Sequence, residues 1–226
     1  MRYWPALLLC CVLAPAHALL LGDAAPDFHA DTTAGAVHFD DWRQDHWVVL
    51  FSHPASFTPV CTTELAAVQR LQKAFAARGV RTLALAVSPL EDLRQWLDDI
   101  ERSQGVRPAF PLISDHDRVI STRYGMLHPR AQSVSTVRSV FVIDPRGRLR
   151  LKIDYPAQVG RNVDELLRAI DALQATDRYP VLTPADWQPG DDVILSPRLS
   201  PADARILFPT QRDTVLPYLK YTPLPR

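Results

Sequence analysis

The chain has 226 residues, and 25 Lys plus Arg against 25 Asp plus Glu leave a formal net charge of +0 at pH 7. That balance excludes the broad basic field of a nucleic-acid-binding surface. A composition 47% hydrophobic and 22% charged excludes disorder throughout and suits one sizeable domain with a smaller appendage.

Residues 1–18 read as a secretory signal peptide. Arg2 supplies a small positive n-region, Ala6 to Ala14 is an apolar run too short to span a bilayer, and Ala16-His17-Ala18 fits a small-x-small cleavage site after Ala18. An uncleaved anchor or a misassigned start is the alternative. Export to a periplasm or the exterior is expected if the leader is removed, and a cytoplasmic location otherwise; no transmembrane span is expected in the remainder. Cys10 and Cys11 lie in the leader, so the mature chain holds Cys61 alone and cannot form an internal disulfide. A lone cysteine is a reactive thiol, half of an intermolecular disulfide, or a small buried hydrophobe.

Trp47 to Ser52 is a short apolar run of β-branched and aromatic residues, hence a buried strand. After a loop from His53 to Pro59, Leu65, Val68, Leu71 and Phe75 recur at helical spacing until Gly79 provides a stop. Thr82 to Val87 is the next buried strand, and Ser88-Pro89-Leu90-Glu91 reads as a capping box opening a helix to about Arg102. That completes one βαβ unit, for which a right-handed crossover is expected. Pro111 to Ser114 is a weaker strand, followed by a short helix from Arg118 to Tyr124 that Gly125 ends. Ser139–Ile143 and Leu149–Ile153 flank Asp144-Pro145-Arg146-Gly147, which is hairpin chemistry. Asn162, with Glu165 three residues on, caps a last long helix carrying Leu166, Leu167, Ile170 and Leu173.

This order predicts an α/β protein with a thioredoxin-like fold over residues 19–178, a central mixed sheet flanked by helices. From Tyr179 the periodicity breaks down, and nine of the 20 prolines lie beyond that point. Ser200-Pro201 opens one short helix through Phe208. Residues 179–226 are therefore expected to be a Pro-rich extension with no core of its own, docked on the main domain or on a second subunit.

Cys61 falls at the entry to the helix that follows the first core strand. There the unpaired N–H groups and the helix dipole stabilise a thiolate, which favours the nucleophile over the buried hydrophobe. Thr58, three residues earlier, can aim its hydroxyl at the sulfur or serve a local turn. Arg138 begins a core strand, and its fork could hold a thiolate and a polarised oxygen together, but sequence alone does not place it near Cys61.

Pro54, Thr58 and Cys61 match the Pro-x-x-x-Thr-x-x-Cys signature of peroxiredoxins. The surrounding Phe51-Ser52-His53-Pro54 and Phe57-Thr58-Pro59-Val60-Cys61-Thr62-Thr63-Glu64-Leu65 resemble the 1-Cys, peroxiredoxin 6 type. The resemblance begins near Leu21-Gly22-Asp23 and takes in Arg138-Ser139-Val140, Tyr155-Pro156 and Gly160-Arg161-Asn162. It reaches Thr183-Pro184-Ala185-Asp186-Trp187 and Tyr221-Thr222-Pro223, which is nearly the whole mature chain.

The resemblance implies Cys61 as peroxidatic cysteine, Thr58 and Arg138 as its activating partners, and Pro54 as a shield over the pocket. His53, Glu64 and Arg161 match supporting positions. Read from the residues alone, His53 is also compatible with a satisfied histidine at the sheet edge, Glu64 with a carboxylate serving the helix N-terminus, and Arg161 with a surface arginine.

The implied activity is a thiol-specific peroxidase acting on hydrogen peroxide and organic hydroperoxides through a sulfenic acid at Cys61, with no metal or organic cofactor. An external thiol such as glutathione or a thioredoxin-like protein would re-reduce it, and a homodimer is implied. Some members of the subfamily are credited with a phospholipase activity using Ser, His and Asp. The corresponding positions here are His46, Asp40 and Arg146, so that activity is not expected. The competing expectation is a non-enzymatic thioredoxin-fold protein, either a redox sensor or a holdase.

Overall fold

The structure is a computed structural model that describes residues 19–127, 136–210 and 216–225. The signal-peptide expectation for residues 1–18 lies outside them. The elements run β1 (His29–Thr32), β2 (Gly35–His38), α1 (Phe39–Arg43), β3 (Trp47–His53), α2 (Pro59–Arg70), α3 (Gln72–Ala77), β4 (Val80–Ala86), α4 (Leu90–Gln104) and β5 (Leu112–Ser114). They continue α5 (Val119–Arg123), β6 (Arg138–Ile143), β7 (Leu149–Tyr155), α6 (Val163–Arg178), β8 (Val181–Leu182), β9 (Val193–Leu195), α7 (Pro201–Leu207) and β10 (Tyr221–Thr222).

A 7-stranded mixed sheet in the order β2-β1-β5-β4-β3-β6-β7 forms the centre. β3, β4 and β5 run parallel, whereas β6 pairs antiparallel with β3 and β7 antiparallel with β6. All of β3 is buried, which is why it reads as an unbroken apolar run. Its side chains alternate between two cores. Val49 and Phe51 face Leu65, Leu93, Trp96, Leu166 and Ile170 of α2, α4 and α6. Val48 and Leu50 face Phe28, Phe39, Ile120 and Tyr124 on the α1 and α5 side. The expected sheet with helices on both faces is thus present.

Three local expectations need correction, and one element went unread. The single helix predicted between the Pro59 loop and the Gly79 stop is broken at Leu71 into α2 and α3, because the Gln72 side-chain amide takes the Val68 carbonyl at 3.2 Å. Ser88 does not cap α4, whose N-cap is Pro89; the Ser88 hydroxyl instead accepts from Ser56 N at 3.2 Å, tying the loop before α2 to the loop before α4. The polar segment His29–His38 forms a hairpin, paired from His29↔His38 to Thr32↔Gly35, which apolar periodicity does not reveal.

Finally, the C-terminal segment does build a core. β8, β9 and β10 form a 3-stranded sheet in the order β10-β9-β8, and Val181, Trp187, Val193, Leu195, Ala204 and Phe208 cluster together against Ala172 and Ala175 of α6. Prolines fill the connections rather than the strands, which lets short strands pair without a long periodic signal. The predicted caps hold: Asn162 accepts from Glu165 N, and Ser200 from Asp203 N. Among the described residues no helix is long and apolar enough to cross a membrane.

Candidate active site

β3 ends at His53, and the loop that follows must turn sharply to start α2. Phe57 makes that turn with φ 55, an uncommon left-handed conformation for an aromatic residue. Thr58 is then the N-cap of α2 and Pro59 its first residue, which places Cys61 in the first helical turn. Cys61 is 0% exposed and packs with the apolar cluster of α2, α4 and α6. It combines the burial of a structural cysteine with the N-terminal position of a nucleophile.

Arg138 arrives through sheet pairing. β6 lies antiparallel to β3 with Phe51 opposite Val140, and extending that register sets Arg138 opposite His53 at the end of the strand. Its guanidinium Nη1 donates to Cys61 Sγ at 3.1 Å and to Glu64 Oε2 at 2.8 Å, and Nε donates to the Ala157 carbonyl at 2.9 Å. Arg138 is buried.

Arg161 forms the opposite wall. It donates from its backbone N to Glu64 Oε1 at 2.8 Å and from Nη2 to Glu64 Oε2 at 2.7 Å. Nη1 reaches the carbonyls of Ser52 at 3.0 Å and Ser139 at 3.1 Å, and Nη2 lies 3.0 Å from His53 Nδ1. Glu64 therefore sits between two buried guanidinium groups. Burial by itself would push its carboxyl up, but the hydrogen bonds from His53 and Arg161 and the charge of Arg161 hold it far below the usual carboxylate range.

The same balance governs the thiol. Burial pushes Cys61 up, yet the neighbouring His53 ring, the Thr58 hydroxyl and the Arg138 charge outweigh burial and bring it down to about 6. At neutral pH the sulfur is mostly thiolate. The Thr58 hydroxyl also lies 3.1 Å from the Ala55 carbonyl, so its one proton serves either that oxygen or the sulfur.

The structure brings Cys61, Thr58, Arg138, His53, Glu64 and Arg161 together; Pro54 follows His53 directly and is half-buried. His53 ends a central strand rather than lying at a sheet edge, and its ring meets Trp96 edge-on at 6.3 Å. Glu64 and Arg161 are buried partners rather than a dipole-serving carboxylate and a surface arginine. Ser52, Ser139 and Trp96 complete the surroundings; sequence reading missed them because each looks like an ordinary core position.

His53, Cys61 and Glu64 offer donor atoms within 4.8 Å of one another, a geometry that could bracket a metal ion. The two guanidinium groups already occupy the Glu64 oxygens, however, and their charges oppose a cation.

The model of the AhpC/TSA family matches residues 21–152, and that of the C-terminal domain of 1-Cys peroxiredoxin matches residues 172–209. Peroxiredoxin-6 of Rattus norvegicus is 45% identical over 220 residues, covering 92% of this chain and 98% of the relative. The crystal structure of a cysteine-to-serine variant of peroxiredoxin 6 from Arenicola marina superposes with a TM-score of 0.88 at 42% identity, covering 92% of this chain and 100% of that one. The yeast mitochondrial 1-Cys peroxiredoxin, whose thiol is resolved via glutathione/thioredoxin systems, superposes with a TM-score of 0.85 at 44% identity, covering 91% and 99%. The chain belongs to the peroxiredoxins, thiol-dependent peroxidases, and within them to the 1-Cys, peroxiredoxin 6 type.

Proposed function

We propose that Cys61 is the peroxidatic nucleophile and that Arg138, Thr58, His53, Glu64 and Arg161 tune and hold it. The observation that carries this reading is the Arg138 Nη1 position, 3.1 Å from the sulfur. The Cys61 thiolate attacks one oxygen of hydrogen peroxide or an organic hydroperoxide. The O–O bond breaks, the sulfur becomes a sulfenic acid, and the departing oxygen leaves as water or an alcohol after taking a proton. Arg138 keeps its charge throughout and offsets the negative charge that moves from sulfur to the departing oxygen. Pro54 shields the reacting sulfur from bulk water.

A thiol donor then completes the cycle. One thiol condenses with the sulfenic acid to give a mixed disulfide and water, and a second releases Cys61 as the thiol. Glutathione or a thioredoxin-like protein fills this role, in line with the yeast relative. The protein works as a homodimer, a reading supported by the apolar side chains left exposed on the C-terminal module, among them Ile206 at 76% and Tyr218 at 70%. It is exported after cleavage behind Ala18, so N-terminal sequencing of protein from its host should begin at Leu19; an intact Met1 form would refute export alone.

Mixing the reduced protein with one equivalent of hydrogen peroxide tests the central reading. Rapid consumption with sulfenic acid at Cys61, lost in Cys61→Ser, is expected. Consumption no faster than that of a free thiol would overturn it and favour a redox sensor or holdase.

A further inference from the structure

Trp96 of α4 is almost completely buried in the apolar cluster that also holds Cys61. Its indole Nε1 donates to Thr62 Oγ1 at 2.9 Å, while its ring meets His53 at 6.3 Å with the planes at 80°. Thr62 passes the bond on. Its hydroxyl donates to the Thr58 carbonyl at 2.9 Å, and the same carbonyl receives the Thr62 backbone N–H at 3.0 Å. Cys61 lies between Thr58 and Thr62, so these bonds close the turn that carries the sulfur.

That turn lacks two ordinary supports. The Thr58 side chain makes no capping bond to α2, and no carboxylate stands in the first helical turn. A polarised hydroxyl held from behind by a buried indole replaces them, and hydrogen bonds in such a chain reinforce one another.

We propose that Trp96 and Thr62 are a positioning pair that keeps the Cys61 turn closed, and so set the balance between the two halves of the peroxidase cycle. The proposal rests on Cys61 being the nucleophile. A peroxide needs the closed turn, in which the sulfur touches Arg138 at 3.1 Å. A reducing thiol needs the turn open, because Cys61 is 0% exposed and a donor must reach the sulfur with its own chain attached. Weakening the pair therefore slows the first half-reaction and speeds the second.

Trp96→Phe keeps an aromatic body against His53 and deletes the N–H. Thr62→Val keeps the shape and deletes the hydroxyl, and Thr62→Ser restores it. Stopped-flow measurements on the full chain, with hydrogen peroxide as oxidant and glutathione as reductant, read the two steps separately. Titration of thiolate absorbance, with Cys61→Ser as the blank for Cys10 and Cys11, reads the acidity of Cys61.

The loss of one neutral hydrogen bond corresponds to roughly two- to tenfold in such a balance. Trp96→Phe and Thr62→Val should each slow the peroxide step and hasten reduction by that factor, with the thiolate midpoint moving up. The double variant should be no worse than either single one, and Thr62→Ser should behave like the parent. Parental rates in both steps, or both steps slowed with the midpoint unmoved, would overturn the proposal. If Trp96→Phe fails to fold, the Thr62 variants carry the same comparison. The titration needs no turnover, so a parent protein inert to peroxide would sink the peroxidase reading while the midpoint still judged the pair.

Discussion

Arg138 Nη1 lies 3.1 Å from Cys61 Sγ and 2.8 Å from Glu64 Oε2, so one nitrogen is shared between the thiolate and a buried carboxylate. Sharing fixes the guanidinium between two anions and leaves the rest of its fork for the Ala157 carbonyl and an incoming oxygen. An ammonium could not span these partners from the same backbone position. Arg138→Lys should therefore raise the thiolate midpoint above about 6 and slow peroxide reduction by roughly tenfold for each ~1.4 kcal/mol of transition-state stabilisation lost. Stopped-flow rates across pH test this. An unchanged rate would remove Arg138 from the reaction.

Glu64 is the anion on which both arginines converge, and Arg161 alone contributes donors at 2.8 Å from its backbone N and 2.7 Å from Nη2. Glu64→Gln would leave two buried cations facing a neutral amide, and breaking a buried pair by removing one partner costs about 3–5 kcal/mol. The pH dependence has a definite sign. Because the folded Glu64 lies below its ordinary value of 4.5, its contribution is complete above 4.5 and is withdrawn as the pH falls toward the depressed folded value. Urea midpoints should drop as the pH falls from about 5 to about 2.5 in the parent and less steeply in Glu64→Gln; parallel slopes would show that Glu64 is not the linked group.

The centre of this site was legible because its parts are local. The signature from Pro54 to Cys61 lies on one loop and one helical turn, and the strand before it is buried on both faces, so composition alone marks it. The arrival of Arg138 was not legible. It depends on an antiparallel pairing of β3 with β6 that brings together residues 77 apart in sequence. The Leu71 break was hidden for a related reason: Gln72 replaces a backbone donor with a side-chain donor, leaving the apolar spacing untouched. In the C-terminal module the strands are too short for any periodicity to show, and Trp187 and Phe208 organise its core across long connections.

Because that module packs on Ala172 and Ala175 of α6, deleting residues from Tyr179 onward would strip an apolar face from a helix that also supports the active-site core through Val163, Leu166 and Ile170. The truncated chain should be a monomer or an aggregate by light scattering, and its peroxide reduction should fall with the loss of α6 packing. A soluble truncated dimer would show that association uses another surface.

A pH signature near neutrality lies away from the site, at the N-terminal hairpin. His38 Nε2 is 2.6 Å from Asp27 Oδ2 and Nδ1 is 2.6 Å from Asp41 Oδ2, so both ring nitrogens must donate and the ring must be charged. His29 stacks on it at 4.1 Å, and Asp27 also accepts the Asp40 N–H while its carbonyl takes Arg123. The hydrogen bonds that His38 donates to Asp41 and Asp27 hold it above its ordinary value of 6.5. Its stabilisation is complete below 6.5 and is lost as the pH rises through the raised folded value. Cys61 has the opposite sign: lowered from 9.0 to about 6, it adds stability as the pH climbs from about 6 toward 9.0. In the parent the two slopes oppose each other between neutral and mildly alkaline pH. Cys61→Ser removes the opposing Cys61 slope and keeps that of His38, so the urea midpoint should fall as the pH is raised from about 6 to about 8.5. The further change His38→Asn should flatten it. A midpoint that still falls in the double variant would place the titrating group elsewhere.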